Sequence, residues 1–193
     1  MKQDNENTFT HEHYTALIKS VVRYCTRFFG YFRKPTVVEC SNDEGEAMVI
    51  CRTGIRRYTI YCDYEQFVKN FGHLEFEGQE AYCALLIAHE MRHYYQMRQL
   101  DSRWVKESEE TLEAWQKDDD DPKIPSENFS VLDFYMQPME IDAELFAYLF
   151  VAENFGIRVS LNFIDEGYIH ELKKYCIEYL GEADEEIFSD KWD

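Results

Sequence analysis

Cationic side chains are scarce in this sequence. Twenty Lys and Arg stand against 38 Asp and Glu, for a formal net charge of −18. Such an acidic surface repels phosphate backbones and anionic headgroups, which argues against nucleic-acid and membrane partners. The same charge either serves solubility or favours basic partners. Long apolar runs are missing as well. Residues 143–152 are the richest stretch, but they are flanked by acids and fall short of the ~18 residues that mark a membrane span. Residues 1–8 are polar and carry no apolar segment of the secretory type,. The six cysteines, Cys25, Cys40, Cys51, Cys62, Cys83 and Cys176, include no C-x-x-C pair. That spacing speaks against a cysteine zinc ribbon and for reduced, mostly buried thiols of a cytoplasmic protein. No G-x-x-x-x-G-K, G-x-G-x-x-G or G-x-S-x-G occurs, so nucleotide binding and serine-hydrolase chemistry have no support.

What is present suffices for one core. Of 193 residues, 45% are hydrophobic, among them 14 Tyr, 14 Phe and 3 Trp,. The chain is expected to form a single α+β domain over residues 10–182, between a disordered tail at 1–9 and an acidic tail at 183–193. Apolar residues spaced by three and four from Tyr14 to Phe29 predict an N-terminal helix, capped by Thr10 and stopped by Gly30,. Three β-rich segments, residues 36–40, 47–52 and 57–63, are separated by turn signals and predict a small three-stranded antiparallel meander,. Asp63 is placed to cap a short helix reaching Phe71, and a long helix is expected from Gln79 to about Arg103,. Residues 107–128, with the run Asp118 to Asp121, read as a flexible or partly helical polar insertion whose acids are solvated,. They lack the alternating acids, Gly and final Glu of an EF-hand loop. A further helix is expected from about Pro138 to Gly156, and a C-terminal helix from Ile164 to Leu180,.

The chemistry concentrates on the long helix. His89-Glu90-Met91-Arg92-His93 is an HExxH sequence. Residues four apart lie on one helical face, so His89 and His93 can present ring nitrogens to one metal ion. Glu90 then stands beside that ion, where a general base must be to take a proton from a water activated by zinc. Catalytic zinc sites usually take three protein ligands and leave the fourth position open. Downstream, Glu140 and Glu144 share a face beside the apolar stripe of Met139, Ala143, Phe146, Ala147 and Phe150. Acids beside a buried stripe need compensation. Zinc would compensate Glu140, and a bond to the far nitrogen of a zinc-bound histidine would compensate Glu144. Asp142 lies on another face and is the second choice as ligand. Glu90-Met91-Arg92-His93 is also an E-x-x-H, but a di-iron bundle needs a second one, and none occurs,.

His89-Glu90-x-x-His93 followed by Glu140-Ile-Asp-Ala-Glu144-Leu-Phe-Ala resembles the gluzincin clan of zinc metallopeptidases, especially the small one-domain minigluzincins and the ImmA/IrrE-type peptidases. Those proteins join an HExxH helix to a second helix bearing E-x-x-A-D or E-x-x-x-D. The resemblance covers mainly residues 79–100 and 136–150. It implies a zincin-like fold, zinc ligands His89, His93 and Glu140, general base Glu90, and Glu144 as an acid behind the ligands, where the clan more often has Asp. It also implies a hydrolase acting on a peptide or on one dedicated protein, held in extended form along an edge strand at about Arg57 to Cys62. A non-catalytic zinc-stabilised binding or regulatory protein with the same ligands is the alternative.

Overall fold

A computed structural model describes residues 8–41, 47–53 and 57–156. Helix α1, His11–Phe28, starts at the expected cap: the Thr10 hydroxyl accepts the His13 N–H, and the His13 ring reaches back to the Thr10 N–H. Its buried face is Tyr14, Ile18, Val21, Val22, Cys25 and Thr26. Gly30 stops it at φ 74, a left-handed conformation that costs glycine little,. There the Gly30 and Tyr31 N–H groups close onto the Arg27 and Thr26 carbonyls, each at 2.9 Å, in a Schellman motif,.

The sheet departs from the expected meander. Strands β1 (Thr36–Glu39), β2 (Met48–Arg52) and β3 (Tyr58–Cys62) lie in the order β1-β3-β2. β2 and β3 form the expected antiparallel hairpin, with Ile50 opposite Ile60. β1 pairs parallel with β3, with Val37 opposite Ile60. The sheet is therefore mixed, and burial explains the order. Tyr58, Thr59, Ile60 and Cys62 are buried, whereas all of β1 is exposed. The most buried strand takes the centre, where both its backbone edges are paired, and the solvated strand takes an edge,. Arg57 to Cys62 is thus not the edge strand that was expected to take up a substrate.

Helix α2, Tyr64–Phe71, follows at once, with Asp63 capping it by accepting the Gln66 N–H at 2.9 Å. Its Phe67 is fully buried in an aromatic cluster with Phe9, Tyr14 and Phe71, ring centres 5.1–5.5 Å away. Phe9, expected in the N-terminal tail, is thereby a core residue. Helix α3, Phe76–Leu100, starts three residues before the expected Gln79. The chain divides into two compact units between Tyr94 and Tyr95, inside α3. The first holds α1, the sheet, α2 and most of α3.

The second unit holds the end of α3 and helices α4 (Glu109–Asp120), α5 (Val131–Tyr135) and α6 (Pro138–Phe155). The 107–128 segment is therefore substantially helical. Ser108 caps α4, and Trp115, 1% exposed, meets Tyr95 edge-on at 6.3 Å. α6 opens on Pro138 and closes on Gly156 at φ 64, both as expected. The expected helix 164–180 and the acidic tail lie outside the described residues. The described residues are thus an α+β chain of six helices and one small mixed sheet, and among them no helix is long and apolar enough to cross a membrane.

Candidate metal centre

α3 is buried on most of its circumference where the histidines sit: Ala84, Leu85, Ile87, Ala88 and Met91 are all shielded from solvent. A helix so enclosed tolerates polar side chains only where they find partners. His89 and His93 find each other. Their Nε2 atoms are 3.0 Å apart, with ring centres at 4.6 Å and ring planes at 84°. Two nitrogens bound to one tetrahedral zinc at ordinary Zn–N lengths stand about 3.3 Å apart. The pair thus sits close to chelating geometry, and without an ion one ring N–H can serve the other nitrogen.

Glu140 is the third member. Ligand atoms of His89, His93 and Glu140 lie within 4.8 Å of one another, the group among the described residues with the spacing to hold a metal ion. His93 is buried, whereas His89 and Glu140 are half-buried. Two imidazoles and a carboxylate suit zinc, and the set also suits other borderline divalent ions. Glu90 and Glu144, the two remaining expected members, are both buried, each 9% exposed. Asp142, the second-choice ligand, accepts a 2.7 Å bond from the fully buried Gln96 amide, which also donates to the Met139 carbonyl at 2.9 Å.

Burial pushes Cys62 up to about 12, and the negative charges of Glu90, Cys40 and Glu39 add to the rise. Burial also lifts Cys25 to about 12 and Cys83 well above the ordinary thiol range. These are inert, protonated thiols, as the scattered spacing suggested. The two tyrosines that follow His93 have their hydroxyls bonded: Tyr94 donates to the Arg33 carbonyl at 2.5 Å and Tyr95 to the Glu107 carboxylate. Tyr135 is half-buried at the end of α5.

One acid departs from expectation. Asp118, expected in a solvated run, is half-buried, and its carboxylate accepts the Met139 N–H at 3.0 Å. Burial raises its pKa, the Met139 N–H and Lys123 pull it down, and Glu140 raises it again. No local pattern could have signalled this bond, because its partners stand 21 residues apart.

No protein-family model matches this chain, and neither curated proteins nor solved structures give a match.

Proposed function

We propose that this chain is a zinc-dependent metallopeptidase of gluzincin type. The observation that carries the reading is the convergence of His89, His93 and Glu140, with the two imidazole nitrogens 3.0 Å apart. A zinc ion held by His89, His93 and Glu140 would supply Lewis acidity and ease the deprotonation of water near neutral pH. Around it, His89 and His93 offer neutral ring nitrogens from successive turns of α3, and Glu140 offers a carboxylate. Glu90, next to His89 in sequence and buried, takes a proton from the attacking water and passes it to the leaving amine of the scissile peptide. Glu144, buried like Glu90, is the acid this reading assigns to support a histidine ligand. The substrate is a peptide or protein, and the −18 net charge favours a basic one,. The thiols Cys25, Cys40, Cys62 and Cys83, none of them in a disulfide, support a reducing, cytoplasmic setting,.

Two measurements test this. Elemental analysis after zinc loading should find about one zinc per chain, with His89→Ala and Glu140→Ala losing it. Glu90→Gln should keep the metal and lose cleavage of a proteome-derived peptide library that the wild type cleaves. A wild type that binds no supplied zinc sinks the whole reading. Zinc binding without any cleavage that depends on Glu90 leaves the non-catalytic, zinc-stabilised binding protein in its place.

A further inference from the structure

Helix α6 begins without a cap of its own. Pro138 at its first position brings no N–H, and Gln137 at the cap position makes no side-chain bond to the helix. The Gln137 side chain is used elsewhere: its oxygen accepts the Lys123 N–H at 2.7 Å and its nitrogen donates to the Phe134 carbonyl at 3.0 Å. The first N–H that α6 offers is that of Met139, and it is met at 3.0 Å by Asp118, from the last turn of α4. Glu140 is the next residue.

We propose that Asp118 is a positioning residue for Glu140: by capping α6 from α4 it fixes the turn that carries the metal-binding carboxylate. The inference rests on the metal-centre reading above. A helix start whose N–H groups lack acceptors frays, and the side chains of that turn lose their direction with it. A carboxylate suits the post, since it accepts the bond and faces the positive end of the helix dipole. The lines of support converge on one turn, with Asp118 on Met139 and the 121–125 stretch on Gln137 through Lys123. The polar segment 107–128 therefore serves as a brace for the residue following Met139.

The test is calorimetric titration of the purified full chain with zinc chloride, run beside thermal unfolding. Asp118→Ala is expected to weaken zinc binding about tenfold, the lower end of the loss seen when a ligand's supporting partner is removed. Asp118→Asn keeps an oxygen for the same N–H and should bind zinc nearly as the wild type does. Adding Gln137→Asp to Asp118→Ala supplies a local cap and should recover affinity. Ser130→Ala removes a comparable cap, the 3.1 Å bond to the Asp133 N–H of α5, and should lower the melting temperature without changing zinc affinity. Zinc affinity that falls with Glu140→Gln but not with Asp118→Ala, or that falls equally with Ser130→Ala, overturns the inference alone. Equal zinc binding by wild type and Glu140→Gln, or none by wild type, overturns Glu140 as a ligand and the inference with it. Should Asp118→Ala not fold, failure of Gln137→Asp to restore folding and affinity together also counts against it.

Discussion

A buried amide and a buried carboxylate show how single residues are held in the second unit. Gln96 is 0% exposed and Asp142 is 3% exposed. Their 2.7 Å bond places a donor against a carboxylate that has little access to water, and hydrogen bonds to charged groups contribute about 1.5–3 kcal/mol. Replacing Gln96 with Leu keeps much of the volume but deprives Asp142 and the Met139 carbonyl of this donor. Gln96→Leu should therefore lower the unfolding free energy by about 2–3 kcal/mol in urea titration. Adding Asp142→Leu should recover part of that loss, because the acid that lost this donor goes too; a fully additive double mutant would mean the two side chains do not support each other. Asp142 is only two positions from Glu140 but is bonded to Gln96. Two positions along a helix do not share a face.

Among the elements, α4 and the sheet separate what a sequence can tell from what only packing decides. Local signals are clear where one residue does one local job. Thr10, Asp63, Pro138, Gly30 and Gly156 mark helix ends in the sequence, and each stands at its end in the structure. The His89–His93 pairing is equally legible, since four-residue spacing is a property of the helix itself. Strand order is not. Turn residues announce the β2–β3 hairpin, but the choice between β2 and β3 as partner for β1 depends on which strand the rest of the core buries. The polarity of 107–128 conceals α4 in part, because one Trp among many acids leaves little periodic signal. Yet Trp115 anchors that helix at 1% exposure. Trp115→Ala should cost about 3–5 kcal/mol, read as a lower urea midpoint, and should raise hydrogen exchange of the α4 amides. Unchanged protection of α4 would show that something other than Trp115 holds it.

For the molecule as a whole, two features respond to alkali: a formal charge of −18 and a set of buried thiols. The charge is spread over the surface, and its repulsion grows gradually with pH. The thiols act more sharply. Cys25 is 0% exposed, and burial raises its folded pKa to about 12, above the value of about 8.5 for a free thiol. A thiol whose folded pKa is raised holds its proton more firmly in the folded state. The contribution is fully present below the unfolded pKa and is lost as pH rises from there through the folded value. Between pH ~9 and ~11 the slope is about 1.4 kcal/mol per pH unit for each such thiol, because the unfolded chain has released the proton and the folded chain has not. Cys25→Ala removes one of these groups while leaving the surface charge alone. The variant should be less stable than wild type at pH 8, through the cavity it creates, and should lose stability more slowly between pH ~9 and ~11, so that the two urea midpoints approach each other. Parallel curves over that range would mean that the Cys25 thiol ionises as easily folded as unfolded, and alkaline loss of stability would then fall to the surface charge and the remaining buried groups.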